Sequence, residues 1–122
     1  MKDSMTGKLY LIPIPIAEGA LDTIPEVVKQ KSVQIKHYFV ENLRTARRYL
    51  KSIDKAVDID AIQFSEVNQK NPADTNLLKA WLEAGYEVGI MSESGCPGIA
   101  DPGSVLVAKA QEIGALVNPM VG

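Results

Sequence analysis

Residues 92–103 combine the side chains and the backbone freedom that a ligand-binding loop needs. They read S-E-S-G-C-P-G-I-A-D-P-G, with three glycines and two prolines among twelve residues. Glycine allows the backbone to approach a ligand closely, and proline holds a loop in one shape, which lowers the entropy lost on binding. The same spacing is also compatible with a tight strand-to-helix connection that binds nothing. Both interpretations remain open from the residues alone.

Two side chains of this segment have chemistry of their own. Glu93 can accept hydrogen bonds from ligand hydroxyls or an amino group, as acidic residues do for ribose in dinucleotide-binding folds. Taken alone, a solvated loop carboxylate is the more frequent role. Cys96 has no His or Lys nearby in sequence to lower its pKa, so we expect a packed side chain rather than a nucleophile.

Four cations recur at helical spacing in the first half of the chain. Arg44, Arg47, Arg48 and Lys51 stand at i, i+3, i+4 and i+7, which places them on one helical face. Such a face can contact nucleic-acid phosphates, although a solvated charged face is the commoner explanation. With one Cys and one His37, the chain lacks a cluster of metal ligands, and no metal site is predicted.

The elements that must position these residues alternate between strand and helix. Asn71 before Pro72 and Asp101 before Pro102 are typical N-cap and N1 pairs, and Gly85 and Gly114 are natural helix ends. The patterns predict strands at 8–12, 33–40, 61–64, 86–91 and 115–119, and helices at 25–31, 41–52, 72–84 and 102–113.

This alternation predicts an α/β fold, a mostly parallel sheet of about five strands flanked by helices. Residues 1–7 are expected to be a disordered leader, and 8–122 one domain. Ligands of open α/β sheets bind beyond the carboxyl ends of the strands. Three segments qualify here, residues 13–19, 92–101 and 121–122.

The totals are those of an ordinary soluble domain. The chain has 122 residues and a formal net charge of −2, so any nucleic-acid footprint must be local. No apolar run approaches the ~20 residues of a membrane-spanning helix, and residues 1–7 do not resemble a secretory signal. The cytoplasm is the simplest compartment.

Two stretches carry a family resemblance, L-Y-L-I-P-I-P-I at 9–16 and S-x-x-G-x-P-x-x-x-D-P-G at 92–103. They resemble the tetrapyrrole-methylase superfamily, and within it the branch that methylates the ribose 2′-hydroxyl of a cytidine in small-subunit ribosomal RNA. That branch has T-P-I-G-N after its first strand, A-E-D-T-R after its second, and S-D-A-G-T-P followed by D-P-G. The likeness spans most of the chain.

The resemblance implies a two-domain, homodimeric enzyme that holds S-adenosylmethionine between its domains. This chain would supply the amino-terminal domain, and such a fragment alone is expected to be inactive. The substrate-side residues implied are Glu41 and Arg44; no residue is assigned as a general base. The implied cofactor-binding residues are Pro13, Ile14, Pro15, Ser92, Glu93, Ser94, Gly95, Cys96, Pro97 and Gly122.

The chain also departs from the branch. Ala17 replaces the first glycine of T-P-I-G-N, and Asn42 and Leu43 replace the Asp and Thr of A-E-D-T-R, while Glu93 and Cys96 replace the Asp and Thr of S-D-A-G-T-P. Cofactor binding is therefore more transferable than substrate identity. The alternatives are a tetrapyrrole substrate, or a noncatalytic dimerisation or ligand-sensing module of the same fold.

Overall fold

The computed structural model describes residues 6–14, 24–68, 70–93 and 102–120, with only the backbone of Ser92, Glu93 and Pro102. Five strands alternate with four helices in this part of the chain. The strands are β1 Lys8–Ile14, β2 His37–Val40, β3 Gln63–Glu66, β4 Val88–Glu93 and β5 Leu116–Pro119. The helices are α1 Glu26–Gln34, α2 Leu43–Ile53, α3 Thr75–Glu83 and α4 Pro102–Glu112, and a 3-10 turn Ile59–Ala61 precedes β3.

The strands form one parallel sheet in the order β3-β2-β4-β1-β5. Helices cover both of its faces. The apolar side chains of α1 and α2 pack in one buried cluster with Tyr10 and Tyr38, and those of α3 and α4 pack in another with Leu9 and Phe39. Successive residues of a strand thus enter opposite cores, as expected for a sheet buried on both sides. The predicted α/β fold is confirmed.

Several predicted boundaries were wrong by a few residues. α3 begins at Thr75, where the Asp74 carboxylate accepts the Leu77 N–H at 3.0 Å, and not at Asn71 and Pro72. The Asn71 N–H is instead bound by the side chain of Asn68 at 3.0 Å. This local turn competes with a helix start, which is a known effect of Asn side chains.

The start of β2 was also misplaced. Residues 33 and 34 continue α1, and the strand begins only at His37. The buried Ser32 hydroxyl donates to the Val28 carbonyl at 2.7 Å, a bond from one helical turn to the previous one, which lies within α1. β-branched Val33 thus packs against the core from a helix, because tertiary burial outweighs its intrinsic preference for strands. β3 and β4 begin two residues later than predicted.

Other predicted signals hold. α4 begins at Pro102, and Gly85 and Gly114, which follow α3 and α4, adopt positive φ angles of 89° and 83°. Trp81 is buried in the core, as its spacing with leucines predicted. None of the helices described is long and apolar enough to cross a membrane.

His37 lies at the amino end of β2 and packs rather than reacts. Its ring stacks on Tyr86 at 4.1 Å between centroids and meets the edge of Trp81 at 5.0 Å. Burial lowers the pKa of His37 below its usual value near 6.5. Because the folded state disfavours the protonated ring, the contribution of neutral His37 to the free energy of unfolding is complete above about pH 6.5 and is lost as the pH falls below that value.

The variant His37→Phe tests this pH dependence. We expect its urea midpoint to fall by less between pH 7 and pH 5 than that of the unaltered protein. An equal fall in both proteins would contradict the role of His37.

Candidate functional site

The carboxyl ends of three neighbouring strands lie side by side at one edge of the sheet. β4 ends at Glu93, β1 at Ile14 and β5 at Pro119, and these strands are adjacent in the order β4-β1-β5. The three predicted ligand-binding segments, residues 13–19, 92–101 and 121–122, begin at or directly beyond these ends. Because all strands are parallel, the loops must leave from the same edge. The structure therefore brings together the starting points of all three.

A crevice is expected between β1 and β4. The chain leaves β1 into α1, whose Val28 is buried on one face of the sheet, and leaves β4 into α4, whose Leu106 is buried on the other. Two adjacent strands whose connections depart to opposite faces define the switch point of an open α/β sheet. Ligands of this class of fold bind at such points, beyond the carboxyl ends.

The backbone at this point pairs predicted cofactor-binding residues across the two strands. Pro13 lies opposite Ser92 and Ile14 opposite Glu93 in the register of β1 and β4. Ile14 is buried and belongs to the core, so its side chain supports the carboxyl-terminal edge of the sheet from within. Of the other predicted cofactor residues, those outside the described residues are Pro15, Ser94, Gly95, Cys96, Pro97 and Gly122. Their cofactor role stays a prediction.

The predicted substrate-side residues lie on the far side of β4. Val40 pairs with Met91 of β4, so Glu41, the next residue, stands level with Ser92. Glu41 is half-buried, and Arg44 is exposed in the first turn of α2. The junction between β2 and α2 is thus one strand away from the crevice, close to it but not part of it.

Asn42 has a structural role at this junction. Its side chain caps α2 by accepting the Thr45 N–H at 3.0 Å. The neighbouring Leu43 is half-buried and packs against the core of the α1 and α2 face. Two departures from A-E-D-T-R therefore provide a helix cap and an apolar contact.

The predicted basic face of α2 is present and exposed. Arg44, Arg47, Arg48 and Lys51 are all solvent-exposed, and Lys51 also donates to the Val57 carbonyl at 3.2 Å. Within the described part of the chain, the ion pairs are Lys31 with Glu87 and Lys109 with Glu112. The three guanidinium groups of this face thus have no carboxylate partner there.

Titratable groups at the opposite edge of the sheet are already engaged with one another. Glu87 Oε2 accepts from the Tyr10 hydroxyl and from Lys31 Nζ, both at 3.1 Å. Burial acts to lower the pKa of Lys31, but the hydrogen bond and the charge of Glu87 outweigh it and raise that pKa. Over the described ranges, no three His, Cys, Asp or Glu side chains come together as a metal site.

Comparison with known proteins agrees with the geometry. The chain is 27% identical over 116 residues to the ribosomal RNA small subunit methyltransferase I of Bacillus subtilis, covering 95% of this chain and 38% of that protein. It is 31% identical over 116 residues to the protein of that name in Synechocystis, covering 95% and 39%. Over most of its length the chain is similar to part of the methyltransferase I proteins. No family model matches it.

The methyltransferase I relatives are considerably longer than this chain. The relative from Borrelia garinii is 33% identical over 117 residues, which are 93% of this chain and 48% of that protein. The chain thus spans well under two thirds of the length of the methyltransferase I proteins it matches.

Two residues near the junction between β2 and α2 had no role predicted from the sequence. Glu66 ends β3, and Asn68 follows it; both contact the junction between β2 and α2. The polar sequence of residues 65–71 is typical of a loop, whereas in the structure residues 65 and 66 complete β3. The one signal in the sequence was a carboxylate close to the end of a strand. Such a carboxylate does not indicate which neighbouring element it contacts in the fold.

Proposed function

We propose that this chain is the amino-terminal, cofactor-binding half of an S-adenosylmethionine-dependent methyltransferase. The observation that carries the proposal is the adjacency of the strand ends of β4, β1 and β5, from which the three predicted ligand loops start. Relatives named as methyltransferases match about the whole of the chain, which supports the same conclusion. Their additional length is consistent with a second domain that completes the cleft, and we include homodimer formation in the proposal.

The residues at this edge fit the cofactor by their chemistry. Pro13 and Ile14 form a strand end whose backbone pairs with β4, while β5 pairs with β1 only as far as Leu11. The backbone of Glu93 pairs with Ile14 at this end, and a glutamate has the acceptor oxygens that the hydroxyls or the amino group of the ligand require. S-adenosylmethionine, when bound, supplies an already activated methyl group. The chain's own task is to orient the reactants and exclude water.

The proposed substrate is ribosomal RNA, methylated at a ribose 2′-hydroxyl. The exposed arginines of α2 support this proposal, because they begin beside Glu41, one strand from the crevice, and lack carboxylate partners in the described part of the chain. An RNA backbone that runs along α2 toward its amino terminus would approach the carboxyl-terminal edge of the sheet, where we propose that the cofactor binds. Such a substrate would place the protein in the cytoplasm. Transfer of labelled methyl to unmethylated small-subunit RNA, rather than to a tetrapyrrole, is the result expected.

We expect the arginine face to carry the salt dependence of RNA binding. Arg47→Gln with Arg48→Gln should lower the slope of log affinity against log salt by about 1.4, or ~0.7 per lost phosphate contact with single-stranded RNA. The measurement is fluorescence anisotropy of a labelled RNA oligonucleotide at several KCl concentrations. Lys36→Gln with Lys79→Gln removes two exposed charges that lie before β2 and on α3, and it is the matched control. Equal slopes for the two double variants would contradict an RNA contact on α2.

A further inference from the structure

The backbone pairing between β1 and β5 stops before the end of β1. The register of the two strands ends with Leu11 opposite Pro119. One further hydrogen bond follows, from the Met120 N–H to the Leu11 carbonyl at 2.9 Å. β1 continues to Ile14 and is paired there with β4 alone. The last residues of β1 therefore have a partner strand on one side only.

Pro13 explains why this ladder stops. In a parallel ladder, a residue that donates its N–H to the neighbouring strand accepts, at its own carbonyl, the N–H two residues further along that strand. Met120 donates to Leu11, so its carbonyl faces residue 13. Proline has no N–H, and the bond cannot form. Within the part of the chain that the structure describes, no donor reaches the Met120 carbonyl.

The place of this carbonyl suits a ligand. Proline is uncommon in a strand with neighbours on both sides, and β1 lies between β4 and β5. Met120 is half-buried, with its side chain packed against the core of the α1 and α2 face. Backbone carbonyls that are removed from water are nearly always hydrogen-bonded. Here the acceptor without a donor lies between two strand ends from which predicted ligand-binding segments start.

We propose that the Met120 carbonyl accepts a hydrogen bond from an N–H group of the bound cofactor, and that Pro13 keeps this carbonyl available by lacking a competing donor. The inference rests on the proposed function, which makes S-adenosylmethionine the ligand. This ligand has two such groups, the 6-amino group of its adenine and the α-amino group of its methionine part. Met120 is then a binding residue, and Pro13 is a positioning residue that acts through it.

The variant Pro13→Ala restores the missing donor. In the ligand-free, full-length product of the gene, we expect the new amide at position 13 to exchange its hydrogen slowly, because it donates to Met120. We also expect the dissociation constant of S-adenosylhomocysteine, measured by isothermal titration, to rise about fivefold, as for the loss of one hydrogen bond.

Pro119→Ala is the matched control. It also replaces a proline by an N–H at this end of the sheet, but the N–H groups of successive residues point to opposite sides of a strand. Since the Met120 N–H points to β1, the new N–H of this variant points to the open edge beyond β5. We expect its affinity for S-adenosylhomocysteine to equal that of the unaltered protein.

Two analogues of S-adenosylhomocysteine identify the donor, one with hydrogen in place of the 6-amino group and one with hydrogen in place of the α-amino group. The analogue that lacks the bound group should bind the unaltered protein more weakly and lose no further affinity in Pro13→Ala. The other analogue should show the full fivefold loss that one hydrogen bond accounts for.

Three results would overturn the proposal. The first is equal affinity of Pro13→Ala and the unaltered protein for S-adenosylhomocysteine, and the second is rapid exchange of the new amide. The third is an equal loss for both analogues in Pro13→Ala, since proline would then act on the shape of the loop and not through Met120. Absence of binding by the unaltered, folded protein would instead refute the proposed function, and this inference with it.

Discussion

Replacement of Gly89 by Ala is expected to lower the free energy of unfolding by about 2–3 kcal/mol, as overpacking of a well-filled core does. A Cβ at Gly89 would overlap Tyr38 Cε1 and lie 2.7 Å from its Cδ1. Tyr38 cannot easily move, because it is fully buried and its hydroxyl donates to the Ser32 carbonyl at 2.6 Å. Burial also raises the pKa of Tyr38 well above its usual value, so the phenol stays a donor.

Thermal or urea unfolding followed by circular dichroism measures this loss, which corresponds to a melting temperature lower by roughly 10 °C for a domain of this size. Gly114→Ala is the matched control, since it adds the same methyl group where no atom lies within 4 Å. It carries only the strain of a φ of +83°, about 1 kcal/mol. If Gly89→Ala were no more destabilising than Gly114→Ala, the packing of Tyr38 across β4 would be wrong.

The second large effect concerns the cofactor. In the full-length product of the gene, Gly95→Trp is expected to weaken S-adenosylmethionine binding by at least about 100-fold, because a bulky side chain would fill the proposed ligand loop where close backbone approach is needed. In the sequence Gly95 is two residues after Glu93, the last residue of β4, and β4 lies beside β1. Equilibrium dialysis with labelled cofactor measures the loss.

A matched control separates occlusion from unfolding. Ala84→Trp places the same side chain at the exposed carboxyl end of α3, which lies at the opposite edge of the sheet. We expect this variant to bind the cofactor as the unaltered protein does. Normal binding by Gly95→Trp would show that the loop after β4 does not line the site.

Much of this architecture was predictable from local patterns. Strands alternate with helices, and the two glycines predicted to stop α3 and α4, Gly85 and Gly114, follow those helices with the positive φ that this role requires. The carboxyl-edge location of the candidate site follows from a general property of parallel sheets, and the structure pairs two of its predicted segments, residues 13–14 and 92–93. The cationic spacing of α2 likewise predicted one exposed face.

What sequence patterns could not resolve depended on competition between nearby groups. Asn71 and Asp74 are both good helix caps, and the choice between them was decided by the turn that Asn68 forms. The contact of Glu66 with Leu43 joins residues 23 positions apart, and it exists only because β3 lies next to β2 at the edge of the sheet. Strand order is a tertiary property that no local signal encodes.

The most direct test of the methyltransferase proposal is isothermal titration of S-adenosylmethionine and S-adenosylhomocysteine into the full-length product of the gene that encodes this chain. The account predicts saturable binding of both compounds, one per chain, that is lost in Gly95→Trp and retained in Ala84→Trp. A folded protein that releases no heat with either compound would contradict it and would favour a noncatalytic module with the same fold.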